Sequence, residues 1–158
     1  MSEPLYFYTS QGPSGYLSNF SPHGIVLDEL YWPTVEHYYQ AQKYAGTAHA
    51  EDVRQAQGPG HAKRLGRRQD WPLRPDWEEV KVDVMRRAVL RKFWTHPGIR
   101  AALLATGDRP LVENAPTDTF WGCGADGSGR NMLGIILMDV RAALRAQAGA
   151  GIKIVGGH

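Results

Sequence analysis

With 158 residues, 42% of them apolar and 22% charged, the chain has the size and composition of one soluble globular domain that can bury a core without metal or disulfide help. Its longest apolar run, LGIILM at 133–138, falls far short of the ~20 residues a membrane span needs, and MSEPLYFYTS at the start has no basic stretch leading into an apolar one, so neither a span nor a secretion signal is expected. A net charge of +2 excludes the strongly basic class that wraps nucleic acid, while a lone cysteine, Cys123, excludes an intrachain disulfide and fits a reducing cytoplasm.

LYFYTS, Leu5 to Ser10, is short and aromatic and predicts a strand, with QGPSG as the turn after it. In YLSNFSP, Tyr16 to Pro22, Leu17 and Phe20 anchor the backbone while Ser18 and Asn19 present polar groups. Asn19 either bonds its own backbone, as turn asparagines do, or grips a sugar or base. GIVLDELYWP predicts a second strand and a turn, and its closeness to the first strand predicts an antiparallel pairing of the two.

WPTVEHYYQAQKY, Trp32 to Tyr44, is the most informative stretch. Thr34 can cap a helix through its hydroxyl, and the helix is expected from about Val35 to Ala45, with Gly46 ending it. Glu36, Gln40 and Lys43 lie at i, i+4 and i+7, so at ~100° per residue they share one stripe. A carboxylate and an amine roughly 10 Å apart along the axis either dress a solvated surface or face one small ligand. Tyr38, Tyr39, Tyr44 and Trp32 favour an enclosed setting.

Ala48 to Gln57 is weakly helical, and GPG at 58–60 breaks it before a short helix carrying Lys63, Arg64, Arg67 and Arg68, a cluster that is either a solvated face or a phosphate holder. WPLRP at 71–75 is an extended connector. Asp76, with Glu79 three residues on, has the spacing of a capping box for the longest helix, which Pro97 and Gly98 close. Trp77 in its first turn is either core or a surface for stacking on a planar ligand.

A short helix follows over Gly98 to Gly107, then a strand over Leu111 to Ala115. PTDTFWGCGADGSGRN, Pro116 to Asn131, is a long glycine-rich loop carrying Asp118, Phe120 and Trp121, either a surface excursion or a functional loop. Its run into a helix beginning near Asn131 suggests an anion held at that helix terminus. Met132 to about Arg145 is strongly apolar and predicts a core helix, and AGAGIKIVGGH a loose tail with a short strand. The six histidines are scattered and no His or Cys pair has metal-site spacing, so neither metal nor cofactor is expected. Cys123 reads as an ordinary small residue.

The segments YLSNFSP, WPTVEHYYQAQK, LGRR, WEEVKVDVM, KFWTHPGIRAALLATGDRPLVE and FWGCGADGSGRNMLGIILMDVR, in that order and across roughly Leu5 to Leu144, resemble the NADAR family, also called YbiA-like. The resemblance implies an α+β fold, mainly helical, as a single compact domain over 1–147 with a small antiparallel sheet, followed by a tail at 148–158. It implies an N-glycosidase. In one branch of the family the substrates are ribosylaminopyrimidine phosphates of early riboflavin biosynthesis, and in another ADP-ribose attached to guanine. A non-catalytic ADP-ribose-binding module and a nucleic-acid binder remain as rival classes.

Carried over by position, the family's acidic residue falls on Glu36, its lysine on Lys43, its tryptophans on Trp77 and Trp121, its aspartate on Asp118 and its asparagine on Asn19. Breaking a ribose–nitrogen bond builds positive charge on the sugar, so Glu36 and Asp118 are expected to share acid and base work. Lys43 either pairs with the substrate as a cation or attacks the sugar as an amine. Trp77 and Trp121 are expected to border the base. Phe20 and Gln40, with Arg67, Arg68, Gly122 and Asn131 around the phosphate, complete the expected binding set, whose partner is a small ribosylated base carrying a phosphate or ADP-ribosylated guanine in nucleic acid.

Overall fold

The computed structural model describes residues 2–149. Contacts divide them into two units: the segments up to Ser18 and from Phe93 onward form one, and Asn19–Lys92 forms the other.

The 19–92 unit opens with a hairpin, β2 (Ile25–Leu27) paired antiparallel with β3 (Leu30–Trp32), Ile25 opposite Trp32. Its two-residue turn, Asp28 and Glu29, has both residues at positive φ, 56° and 65°, a conformation usually left to Asn and Gly. Side chains hold it there: Asp28 accepts from the Tyr38 hydroxyl at 3.2 Å and from Arg87 Nη2 at 2.8 Å. Three short helices follow, α1 (Val35–Gln42), α2 (Ala48–Arg54) and α3 (Pro59–Leu65), with α1 packed on both of the others. The GPG segment starts α3 rather than merely breaking α2, because Pro59 takes the first helical position, where its missing N–H costs nothing. α4 (Trp77–Thr95) begins in this unit, and Ile25, Trp32, Val35, Tyr38, Val53, Met85 and Ala88 are buried in it. Asp76 precedes α4 as expected, but its carboxylate is held by Arg74, at 2.6 Å from Nε and 3.0 Å from Nη2.

In the other unit β1 (Leu5–Phe7) pairs parallel with β4 (Leu111–Glu113), Leu5 opposite Leu111. The expected antiparallel pairing of the first two strands is therefore replaced by two separate two-stranded sheets, one parallel and one antiparallel. Parallel strands need a long crossover, and here the whole 19–92 unit lies within it. α5 (Pro97–Ala105) ends before Gly107, whose φ of +65° is the expected stop. α6 (Met132–Gly149) buries Leu133, Ile136, Leu137, Val140 and Leu144 and packs on β4 and α5. It outruns the expected end at Arg145, so Ala148 and Gly149 belong to it; the rest of the expected tail and its strand lie outside the described residues. The class is the expected one, α+β and mainly helical, with small sheets.

Candidate active site

The stripe predicted on α1 is buried. Thr34 Oγ1 accepts from His37 N at 3.1 Å, as its capping role requires. The His37 ring locks the same turn: Nε2 lies 3.0 Å from the Ala56 carbonyl, which only accepts, so Nε2 carries the proton and Nδ1 accepts from the Thr34 hydroxyl at 2.8 Å. Burial lowers the His37 pKa and keeps this ring neutral. The i+3 bonds from Lys43, Tyr44 and Ala45 tighten the helix end, so α1 stops at Gln42 instead of Ala45, and Gly46 follows at φ +83°.

With α1 fixed, Glu36 is 6% and Gln40 5% exposed, which removes the surface reading of the stripe. Gln40 Nε2 donates to Glu36 Oε2 at 2.7 Å across one turn. Burial pushes the Glu36 carboxyl above the ordinary range; the Gln40 hydrogen bond and the charges of Lys63, Lys43 and Arg67 oppose that rise without cancelling it. Lys43, half-buried, donates to the Gly66 carbonyl at 2.9 Å. Burial draws its pKa below the usual lysine range, against the attraction of Glu36 and with the help of Arg67 and Lys81.

Beside Lys43 stands an aromatic wall. Tyr39 and Trp77 rings lie 5.1 Å apart at 58°, and Lys43 Nζ is 5.9 Å from each centroid. Trp77 is buried, at 4% exposed, with the Lys43 ammonium near its ring. Asn19 is bound into the group by its backbone, its carbonyl accepting from Glu36 N at 3.2 Å, while its side-chain amide points at Met85 Sδ, 3.4 Å away. Phe20 lies beneath Lys63, whose Nζ is 5.8 Å from the ring centroid.

The expected basic cluster divides. Arg67 is exposed and acts electrostatically on Glu36 and Lys43. Arg68 is turned away from a phosphate role: it pairs with Asp70, at 2.9 Å from Nε, and its guanidinium lies 4.7 Å over Trp71. Lys63, by sequence a member of that cluster, stands four residues before Arg67, the spacing that puts two side chains on neighbouring turns, and its charge acts on Glu36. The sequence marks Tyr39 only as one of the aromatics that enclose the helix, and the structure sets it beside Lys43.

In the other unit Asp118, Trp121, Gly122 and Asn131 come together in the 116–131 loop. Asp118 Oδ1 accepts from Phe120 N at 3.0 Å and Trp121 N at 2.8 Å, so it shapes the turn that presents Trp121. Phe120 meets Trp121 edge-on at 4.8 Å and carries Arg130 at 5.0 Å over its ring. The loop is built rather than loose: Cys123 N reaches Glu113 O at 2.9 Å, Gly129 N reaches Cys123 O at 2.7 Å and Arg130 N reaches Thr119 O at 2.8 Å. Gly122 is buried where a Cβ would meet Ala115 Cβ at 2.9 Å, which makes it a packing residue.

Asn131 is committed to the fold, since its Oδ1 accepts from Glu113 N and its Nδ2 donates to Leu111 O, both at 2.9 Å. The anion site expected at the start of α6 is also filled from within, because the Met132 and Leu133 N–H groups bond the carbonyls of Phe120 and Trp121. Among the described residues no three His, Cys, Asp or Glu side chains gather as metal ligands, and no helix is long and apolar enough to cross a membrane.

A family model described as the NADAR domain matches residues 6–145. An N-glycosidase of Nostoc punctiforme is 54% identical over 144 residues, covering 89% of this chain and 92% of that protein. The N-glycosidase YbiA of Escherichia coli is 44% identical over 140 residues, covering 89% of this chain and 88% of its own. Its NMR structure superposes with a TM-score of 0.87 at 40% identity, over 99% of this chain and 92% of that one. A riboflavin biosynthesis protein of Vibrio vulnificus is 45% identical over 148 residues, which are 94% of this chain and 40% of that protein.

Proposed function

The chain belongs to the NADAR family and is an N-glycosidase of its YbiA kind, and on that premise we propose that it hydrolyses the N-glycosidic bond of ribosylaminopyrimidine 5′-phosphates, intermediates of riboflavin biosynthesis, releasing ribose 5-phosphate. The observation that carries this reading is the buried Glu36–Gln40 pair on one stripe with Lys43 and beside the Tyr39–Trp77 wall. The name of the Vibrio vulnificus relative supports the choice of substrate.

Leaving-group departure builds positive charge on C1′ and needs a proton at the base nitrogen. Glu36 suits both ends of that demand. Its carboxyl, held above the usual range by burial, keeps a proton to give at higher pH than an exposed glutamate, and once ionised it is a fixed negative charge in a low-dielectric setting. Lys43 suits attack on C1′, because burial leaves more of it as free amine near neutrality. The Nζ–C1′ bond forms as the C1′–N bond breaks, its electron pair leaving with the base, which takes the proton. Ring opening then gives a protonated Schiff base, and water returns the lysine and ribose 5-phosphate. The aromatic pair keeps bulk water from the reacting atoms. Lys63 and Arg67 supply the cations for the phosphate.

Mass-spectrometric detection of ribose 5-phosphate, comparing wild type with Glu36→Gln, tests the activity. Borohydride added during turnover tests the covalent step, with a reduced ribosyl adduct expected on Lys43. Release without a trappable adduct would leave Lys43 as a binding cation. No release from these phosphates, with cleavage of ADP-ribosylated guanine instead, would move the substrate to the other branch of the family.

A further inference from the structure

We propose that Gly66 is a positioning residue for the reaction: its bare α-carbon seats Gln40 against Glu36, and its carbonyl holds Lys43, so one residue sets both reactive groups. The inference rests on the functional reading above for its kinetic part, and on geometry for the rest. Gly66 caps α3 with φ −69° and ψ −11°, right-handed helical values that any residue adopts. Alanine is about 1 kcal/mol better than glycine in such a conformation, so backbone freedom does not explain the glycine.

Space does. A Cβ at position 66 would overlap Gln40 Oε1, lie 2.6 Å from Gln40 Cδ and 3.1 Å from Gln40 Cβ. Gln40 could swing its amide clear, but that amide is the donor to Glu36 Oε2 at 2.7 Å. Gln40 Oε1 is buried without a hydrogen-bond partner, and it fills the space that a Cβ on Gly66 would need. From the same residue the carbonyl accepts from Lys43 Nζ at 2.9 Å. A side chain at 66 therefore forces a choice between room for itself and the Glu36 donor.

The test compares wild type, Gly66→Ala, Gln40→Ala and the double variant. The direct readout is the titration of the Glu36 carboxyl by 13C NMR, assigned with Glu36→Gln. The groups facing this carboxyl are Gln40 from α1, Lys43 just after it, Lys63 from α3, and Arg67 just beyond α3; none of these is substituted in Gly66→Ala. Gln40 holds the Glu36 midpoint down, so the midpoint is expected to rise in Gly66→Ala and Gln40→Ala alike, and no further in the double variant. On the kinetic side, kcat is expected to fall about tenfold in each single variant with KM changed less than about threefold, and the double variant should match Gln40→Ala, since losing a charge-assisted bond cannot be repeated.

If Gly66→Ala fails to fold, the double variant carries the test, because only the 3.1 Å contact with the Cβ of residue 40 remains in it. A midpoint unchanged in Gly66→Ala overturns the proposal, as does a double variant whose losses are the product of the single ones. Absence of ribose 5-phosphate release by wild type, with the midpoints still moving together, overturns the substrate reading and leaves the positioning role standing.

Discussion

Glu36→Gln should abolish turnover and at the same time stabilise the protein at neutral pH. The carboxylate is 6% exposed, and of the influences on it burial is the largest, exceeding the combined help of Gln40, Lys63, Lys43 and Arg67. Replacing a whole buried ion pair with neutral groups of similar volume gains up to about 1–4 kcal/mol, which bounds the gain from neutralising this one carboxylate. Turning the Gln40 bond from charge-assisted to neutral gives back about 1 kcal/mol. The remainder, about 0–3 kcal/mol, corresponds at its upper end to a rise in Tm of about 6–12 °C for a chain of this size. A folded-state pKa above the unfolded value means that Glu36 costs nothing below about pH 4, where it is protonated in both states, and costs progressively more as pH rises through the folded value. The gain from Gln must therefore be present at pH 7 and absent at pH 4. Thermal unfolding followed by circular dichroism at both pH values measures it. A variant less stable than wild type at pH 7, or a gain that persists unchanged at pH 4, refutes the reasoning.

Asp118→Asn keeps the oxygen that receives the Phe120 and Trp121 N–H groups but removes the carboxyl expected to share acid and base work with Glu36, so it should preserve the tryptophan fluorescence spectrum while lowering kcat more than about 100-fold; Asp118→Ala should lose both, and an Asn variant of full activity would confine Asp118 to shaping its loop. Lys92 is 1% exposed and burial pushes its pKa down to about 7. The unfolded chain then binds more protons than the folded one between about pH 7 and 10.4, so stability should rise with pH across that window. Lys92→Met should flatten the rise in denaturant titrations, and an unchanged slope would contradict it.

The sequence made legible what is decided within a few residues. Thr34 as a cap, the α1 stripe and Gly107 as a stop all depend on spacing along one element, and the structure keeps them. Asp76 stands before α4 as its spacing predicts, though its near neighbour Arg74 takes the carboxylate. Local grammar failed where a distant partner competes. Asn131 looked available to a ligand because nothing nearby in sequence claims its amide; β4, some twenty residues earlier, does. The pairing of β1 with β4 has no local signature at all, since parallel strands carry no turn between them. Gly66 was invisible for another reason: its dihedrals are ordinary, and only the side chain of Gln40, from a different helix, makes a Cβ intolerable there.

The parallel pairing of Leu5–Phe7 with Leu111–Glu113 also orders events during synthesis. The first strand leaves the ribosome early and has no partner until its mate has been translated, whereas the residues between Asn19 and Lys92 form an uninterrupted segment that holds its own hairpin and helices. At about 5–20 residues per second, that segment is complete roughly 1–4 s before Leu111 is added. During this interval the aromatic strand, with Tyr6 on it and Tyr8 just after it, is a nascent edge open to chaperones and to neighbouring chains on the same message. Slower translation through the stretch between Lys92 and Leu111 should therefore lengthen its exposure, and lower the yield of soluble protein without altering a single residue.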